Sequence, residues 1–599
     1  LRVVAGAFAT LLGISSLIAF HISSLRCSES HTLKSLLLSY KWHERERLAT
    51  ASMMAKTIHM WKHPRGAQED LLRELTRRHA KTEYGRKHRL GEIQSLKDLC
   101  KVHPLTKYEH FKDYIQRLAD GEEGVFLDEK PVRFGITSGT TGVGKVIPYA
   151  GFWQAANASA GQLIRLAVYQ GSRRPCSVQK RCFLYTHPRF SLTKMGLFIA
   201  PYSLITKNDI LRVSELSSPP SAFSIADEPS ASYIHMLFAI ADPNLAQLSA
   251  MFTPQLYRTL KCLETNWQTM LEELSTGKIN AQLPLDPDVR RSLQGYLKPD
   301  QERVSQLRRE FQKGFKGLVK RIWPHLVALQ GIDIQGFRRK LQGNYGLGVP
   351  CLSYGYGSTE AGYVAINMWI NEEEPRYVLL PSVAIFEFIP EKHSSDEDAE
   401  CLFMDEVEVG GRYELVQTTR TGLYRYRNGD IIQVVGFHEN CPVIRMLYRT
   451  GDYLNLVYEK TNTKVVATAL KATVESWPGF QLVDWTCAES PLSDSDSSEL
   501  YYILFVEVDP DETGLTLSAE QRSKFDGFLQ QNQYNYKTLR ASNTISMAQV
   551  HLLRPGTFME LRHFTVSHTM ASVNQYKTPR KVRTKENLQW LMERVVEAK

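Results

Sequence analysis

The sequence predicts an α/β fold, with a large N-terminal body of mixed sheets and helices over residues 40–448 and a smaller α+β unit over 449–599. Three observations point there. At 599 residues the chain exceeds one ordinary core, and its length corresponds to roughly three or four domain-sized units. Strand-like and helix-like segments are mixed along the first three quarters, as in α/β proteins. From about Arg449 the pattern changes to helix, strand, strand, helix, strand, which suits a small lid packed on a larger body.

The elements follow from local pattern. Residues 40–120 are charged, with apolar positions at helical spacing. Val132–Ile136 is a short apolar run leading into a Gly/Ser/Thr cluster, hence strand then loop. Residues 151–170 resume a helical pattern, and Leu245–Ile322 is expected to be mainly helical, broken near Pro284 and Pro287. Ser382–Ile389, Tyr413–Thr418 and Asp430–Phe437 alternate as strands, and Glu391–Glu400 is a polar, acidic loop. In the C-terminal unit, Asn462–Trp477 is expected as helix and Leu482–Cys487, Tyr501–Val508 and Val550–Leu553 as strands. Ser518 with Gln521 three residues on is a capping-box signature. The Ser/Asp-rich stretch Glu489–Glu499 reads as a loop.

Composition is globular, 43% hydrophobic and 23% charged, with a formal net charge of +9. No long basic block carries interleaved aromatics, so no nucleic-acid partner is expected. A mildly basic surface suits anionic substrates. The nine cysteines are scattered, without CxxC or zinc-finger spacing, and are expected as reduced thiols. The histidines, methionines and tryptophans form no constellation, and no zinc-type metal site is evident in the sequence. Val3–Ile22 is largely apolar, a length that suits a signal sequence, a membrane anchor or a buried helix. Arg26, Lys34, Lys41, Arg45 and Arg47 follow it, against Arg2 before it. By the positive-inside rule, an anchor at residues 1–25, for instance in the endoplasmic reticulum membrane, would leave the bulk of the chain facing the cytosol.

Three runs carry chemistry. In Ile136-Thr137-Ser138-Gly139-Thr140-Thr141-Gly142-Val143-Gly144-Lys145 the glycines permit close backbone approach to an anion. The hydroxyls of Ser138, Thr140 and Thr141 can donate to phosphate oxygens, and Lys145 adds charge. The run also fits the spacing of a nucleotide-binding P-loop, Gly139 to Gly144-Lys145, but that motif needs Ser or Thr next and Val146 follows. In Tyr356-Gly357-Ser358-Thr359-Glu360 an aromatic can stack on a base, the hydroxyls can reach a phosphate, and Glu360 can hold a hard cation. In Gly422-Leu423-Tyr424-Arg425-Tyr426-Arg427-Asn428-Gly429-Asp430 the aspartate, fixed by a glycine turn at a strand entry, can accept ribose hydroxyls. The flanking arginines can pair with carboxylates or phosphate.

These runs, in this order, resemble the adenylate-forming superfamily. A closer resemblance is to the Gretchen Hagen three family of plant acid-amido synthetases and related animal domain proteins. It rests on Gly410-Gly411-Arg412-Tyr413-Glu414-Leu415-Val416, Gly422 to Asp430, Val435-Gly436-Phe437, Cys441-Pro442 and Asn574-Gln575-Tyr576-Lys577-Thr578-Pro579-Arg580. It spans roughly residues 45–595, and Cys441-Pro442-Val443-Ile444-Arg445 is most like the animal branch. The resemblance implies an adenylate-forming body with a mobile lid. It implies ATP and Mg2+ as cofactors, and two partners: a carboxylic acid, and an amine, usually an amino acid. A carboxylate attacks the α-phosphate to give an acyl-adenylate, and the amine then displaces AMP. Ser138, Gly139, Thr140, Thr141, Gly144, Lys145, Tyr356, Gly357, Ser358, Thr359, Asp430 and Arg449 would bind the nucleotide, Glu360 would hold magnesium, and Lys577 would be the catalytic lysine of the lid.

The chain departs from the family at Thr137, where serine is usual, and at Asn428, where a small apolar residue is usual. In Glu459-Lys460-Thr461-Asn462-Thr463-Lys464 the acidic pair expected after Lys-Thr is lost, which bears on the hinge and the second half-reaction. Two other classes stay open: a thioester-forming acyl-CoA type ligase, and a non-catalytic nucleotide- or partner-binding protein.

Overall fold

The computed structural model describes residues 13, 15–137, 144–171, 178–205, 215–334, 336–369, 372, 374–493, 499–510 and 517–596. It has a large mixed body and a smaller C-terminal unit.

Three sheets build the body. A four-stranded sheet runs in the order Val146–Tyr149, Arg133–Ile136, Phe198–Pro201, Ser191–Leu192. A second sheet, wholly parallel, runs Arg181–Phe183, Gln247–Phe252, Ala328–Ile332, Cys351–Leu352. The third has seven strands in the order Ala384–Pro390, Arg412–Thr419, Tyr426–His438, Cys441–Arg449, Tyr377–Leu379, Gly362–Ile366, Gly355–Ser358, each pair antiparallel.

The parallel sheet corrects one expectation. Gln247–Phe252 lies within the stretch expected as mainly helical, yet it is a strand buried at every position. Its neighbours on both sides are strands that start far away in sequence, so tertiary pairing overrides local pattern. The rest of that stretch is helical: Thr253–Thr276, Pro287–Tyr296, Gln301–Phe311 and Leu318–Ile322. The first ends at Gly277, whose φ of +68° closes the helix in the left-handed region. Pro287 opens the second as its first residue, and Asp286 caps it.

The long helix Leu33–Lys62 starts at a Thr32/Ser35 capping box and buries Trp61, whose indole donates to the Leu379 carbonyl at 3.0 Å. Residues 15–24 are also helical and leave Leu17 and Phe20 exposed. Most of the apolar run before them lies outside the described residues. Among the described residues no helix is long and apolar enough to cross a membrane.

The C-terminal unit has a sheet in the order Phe480–Glu489, Tyr502–Pro510, Gln549–Leu552, the first pair antiparallel and the second parallel. Helices Thr463–Glu475, Ala519–Asn532 and Tyr534–Ala541 share one apolar cluster with the sheet, and Thr557–His568 and Lys585–Met592 share another. Ser518 and Gln521 form the expected capping box. Asn462 caps the helix that begins at Thr463, accepting from the Val465 amide at 3.0 Å. An amide oxygen thus does the capping work at this departure from the family pattern.

Candidate active site

The C-terminal ends of the parallel strands, the seven-stranded sheet and the C-terminal unit meet around a cleft of about 620 Å³. Open α/β sheets bind ligands beyond the carboxyl ends of their parallel strands. Met251, Phe252 and Ile332 line the cleft from there.

Of the first motif, Ser138, Gly139, Thr140 and Thr141 lie outside the described residues. Its two ends are clamped together. The Thr137 amide donates to the Lys145 carbonyl at 3.0 Å, and the Lys145 amide donates to Thr137 Oγ1 at 2.9 Å. Thr137, one of the departures from the family, therefore ties the base of the loop. Gly144 has no room for a side chain, because a Cβ there would lie 2.8 Å from Ile136 Cγ1 and 2.9 Å from the Thr137 carbonyl oxygen. Lys145 Nζ donates to Tyr426 Oη at 3.0 Å, and Tyr426 Oη contacts Glu360 Oε1 at 3.3 Å. A cation, a phenol and a carboxylate thus stand in line on one wall of the cleft. Burial and then the Glu360 charge hold the Tyr426 phenol far above its ordinary range.

The second motif is the edge strand Gly355–Ser358 and its turn. Gly357 is pressed against the neighbouring strand, where a Cβ would meet the Gly362 carbonyl oxygen at 2.3 Å. The Thr359 carbonyl accepts from Tyr149 Oη at 2.7 Å, and the Glu360 carbonyl from Thr421 Oγ1 at 2.7 Å, so the turn is held from behind. Ser358 Oγ is buried on the cleft wall with no hydrogen-bond partner among the described residues. A buried hydroxyl of this kind is a ready donor for a ligand oxygen.

The third motif enters the strand Tyr426–His438, where Asp430 stands opposite Arg449. Asp430 Oδ1 accepts from Arg449 Nε at 2.7 Å, and Oδ2 from Tyr356 Oη at 2.5 Å and Asn428 Nδ2 at 3.1 Å. The Asp430 amide returns a bond to Asn428 Oδ1 at 3.0 Å. Asn428 therefore orients the carboxylate. The Asp430 charge keeps the Arg449 guanidinium firmly protonated, and burial followed by that same charge raises the Tyr356 phenol. Arg425 and Arg427 pair with carboxylates, Glu387 at 2.8 Å and Glu414 at 2.6 Å.

Lys577 reaches across from the C-terminal unit. Its Nζ lies 4.8 Å from the centre of the Phe252 ring, at the end of a body strand, and it lines the same cleft. The segment carrying it is fastened at both ends. Asn574 Oδ1 accepts from the Thr186 amide at 3.0 Å, and Asn574 Nδ2 donates to the Thr186 carbonyl at 2.7 Å. Thr578 Oγ1 donates to Asp484 at 2.7 Å.

The cleft thus gathers Lys145, Tyr356, Gly357, Ser358, Thr359, Glu360, Asp430, Arg449 and Lys577, and Gly144 precedes Lys145 at the loop base without lining it. Sequence reasoning overlooked Tyr426, although it sits inside the third run. Phe252 and Tyr108 carried no local signal as site residues, because tertiary packing brings them there. Glu360 is the carboxylate suited to a divalent cation. It is nearly buried, stands on the cleft wall, and its only described side-chain hydrogen bond is the 3.3 Å contact with Tyr426.

Comparison with known proteins matches this architecture. The GH3 family N-terminal domain matches residues 54–341, the GH3 family central domain 377–449, and the GH3 family C-terminal domain 464–586. A GH3 domain-containing protein of Mus musculus is 32% identical over 367 residues, 60% of this chain and 65% of the mouse protein, under two thirds of its length. The indole-3-acetic acid-amido synthetase GH3.4 of Arabidopsis thaliana is 28% identical over 565 residues, 90% of this chain and 92% of its own. The solved structure of GH3.15 acyl acid amido synthetase superposes with a TM-score of 0.79 at 24% identity, covering 90% of this chain and 96% of that one. With the three domains matched in order along nearly the whole chain, the protein belongs to the GH3 family.

Proposed function

We propose that the chain is an ATP-dependent acid-amido synthetase, which adenylates a carboxylic acid and passes the acyl group to an amine of the amino-acid type. One observation carries this reading. Lys145, Tyr356, Ser358, Glu360 and Asp430 of the body and Lys577 of the C-terminal unit face one cleft. The likeness to relatives that are acid-amido synthetases supports it.

Each residue has a task in that reaction. Asp430, held by Arg449 and Asn428, accepts from the ribose hydroxyls, and Tyr356 stacks on the base. Lys145 and the hydroxyls of Ser138, Thr140, Thr141, Ser358 and Thr359 donate to phosphate oxygens, with the backbone of Gly139, Gly144 and Gly357 allowing close approach. Negative charge grows on the α-phosphate as the substrate carboxylate attacks, and preorganised donors are most valuable there. Lys577 places a cation on that charge. Glu360 would hold Mg2+, which when bound supplies electrostatic neutralisation of the triphosphate. We assign residues 40–448 to the binding body and 449–599 to a lid whose movement admits substrates and then shields the acyl-adenylate from water.

We further propose that residues 1–25 tether the chain to a membrane such as that of the endoplasmic reticulum, with the bulk in the cytosol. The exposed Leu17 and Phe20 and the basic residues behind them support this. Resistance of the full chain to alkaline extraction from membranes tests it, and release on extraction rejects it.

The main test is ATP–pyrophosphate exchange across a panel of carboxylic acids. Exchange that requires one acid class and is lost in Asp430→Ala is the expected result. A flat panel from a folded, ATP-binding protein overturns the reading.

A further inference from the structure

Behind the cleft, three histidines converge on one tyrosine. His88 follows the short helix Glu83–Lys87, His103 follows the helix Leu96–Val102, and His110 ends the turn Tyr108–His110. One ring nitrogen from each lies within 4.8 Å of the others. Tyr84 Oη sits among them, 2.6 Å from His103 Nε2 and 3.1 Å from His110 Nε2. The Tyr84 and His88 rings are 4.4 Å apart. His103 and Tyr84 are buried, and His88 and His110 are half-buried, so the cluster has one open side.

We propose that His88, His103 and His110, with the Tyr84 hydroxyl, form a site for a zinc-type divalent transition-metal ion. The donor chemistry suits that class, since imidazole nitrogens with one oxygen are borderline ligands. His103 has the orientation that metal-bound histidines show. Its Nδ1 contacts the Pro104 carbonyl oxygen at 2.9 Å, a contact that requires the proton on Nδ1 and leaves the Nε2 lone pair toward the cluster. Tetrahedral zinc takes nitrogens at ~2.0–2.1 Å, which places them ~3.4 Å apart. To reach this the ring nitrogens, now within 4.8 Å of one another, close in, and Tyr84 Oη, now 2.6 Å from His103 Nε2, moves outward. On ligation Tyr84 gives its hydroxyl proton to solvent, and its oxygen takes the fourth position. The Arg425 guanidinium, which donates to the His103 carbonyl at 2.7 Å, does not oppose a cation strongly, because Glu387 pairs with it at 2.8 Å. The Lys87 ammonium is drawn over the Tyr114 ring, 5.6 Å from its centre.

The position gives such an ion a task. Between His103 and His110 run Lys107, Tyr108 and Glu109, which line the cleft. Tyr108 Oη accepts from the Val146 amide at 2.9 Å, next to Lys145. The same loop is bonded to the third motif, with the Thr106 amide donating to the Arg425 carbonyl at 2.9 Å. A metal at the histidines would staple this loop and thereby stiffen the cleft wall beside Lys145 and Tyr426.

The test uses the full chain, stripped with a chelator and titrated with Co2+. The expected result is one equivalent bound per chain, with the visible absorption of a four-coordinate nitrogen/oxygen site. Zn2+ should displace it and raise the melting temperature by a few degrees. His88→Ala and His110→Ala should each weaken binding at least tenfold, as should Tyr84→Phe, while the exposed His393→Ala should leave it unchanged. A folded wild-type chain that shows no Co2+ absorption at micromolar metal overturns the proposal and leaves a hydrogen-bonded His–Tyr–His network. So does equal binding by the double variant His88→Ala/His110→Ala. Neither readout depends on ligase activity.

Discussion

Of the three arginine–carboxylate pairs that stem from the run Gly422 to Asp430, the first and the last do opposite things. Arg425 pairs with Glu387 where both side chains are sealed, 6% and 1% exposed. Its other side-chain bonds go to the carbonyls of Cys100 and His103 and to Cys401 Sγ, so they too are internal. Asp430 pairs with Arg449, but here the arginine is 48% exposed and the pair stands on the cleft wall. Arg425 and Asp430 stand five positions apart, yet one pair is sealed in the interior and the other opens on the cleft. Residue type is shared, and access to the cleft divides the roles.

The largest effect should come from the sealed pair. Glu387→Ala strands the Arg425 charge in the interior, and breaking a buried pair this way costs about 3–5 kcal/mol. Urea unfolding should show that loss, with activity falling only as the folded fraction falls. A loss below about 1 kcal/mol would mean that water or another acid replaces Glu387, and the contrast would fail.

The open pair should behave in reverse. In Asp430→Ala the half-exposed Arg449 turns to water, while Tyr356 Oη and Asn428 Nδ2 lose an acceptor, so stability should fall by about 1–3 kcal/mol, less than in Glu387→Ala. Exchange activity should fall by about 10²–10³-fold, the usual result of removing one preorganised polar group. Lys577→Ala should match that loss in turnover while ATP affinity stays nearly constant, since its charge is needed as the reaction proceeds. Circular dichroism and calorimetric ATP titration separate these outcomes from misfolding.

The contrast also marks what the sequence could reveal. Asp430, Tyr356 and Lys577 were legible as cleft residues because glycines, hydroxyls and charges cluster locally around them. Most strands and the Ser518 capping box were legible for the same local reason. The strand Gln247–Phe252 was not, since its identity depends on partners at Arg181–Phe183 and Ala328–Ile332. Nor could sequence tell that Arg425 turns inward and Arg449 outward, because Glu387 and the loop around His103 are distant in the chain. The histidine cluster was hidden likewise, for its spacing matches no metal motif and three separate turns bring it together.

A proton test sharpens the sealed half. His79, 2% exposed, contacts Tyr424 Oη at 3.0 Å, one residue before Arg425. Burial pushes its imidazole down to about 4 from 6.5. The unfolded chain therefore binds this proton more readily, and stability is complete above pH 6.5 and lost as pH falls toward 4. Between pH 7 and 5 the site should lose about 2 kcal/mol. Urea midpoints at the two pH values should show it, and His79→Gln should reduce the difference by that amount. An unchanged pH dependence in the variant would mean that His79 is reached by water in the folded state.

The smallest effect concerns Asn428, which stands where the family usually has a small apolar residue. Its side chain both donates to Asp430 Oδ2 and accepts from the Asp430 amide, so it orients the carboxylate without facing the reacting atoms. Asn428→Ala removes one neutral orienting contact, worth about 0.5–1.5 kcal/mol. The KM for ATP should rise by about 2–10-fold with kcat nearly unchanged, because a nucleotide-positioning bond is made equally in ground and transition states. A fall in kcat instead would place Asn428 against the charge that develops during transfer, and the open half of the run would then hold two groups engaged in the chemistry rather than one.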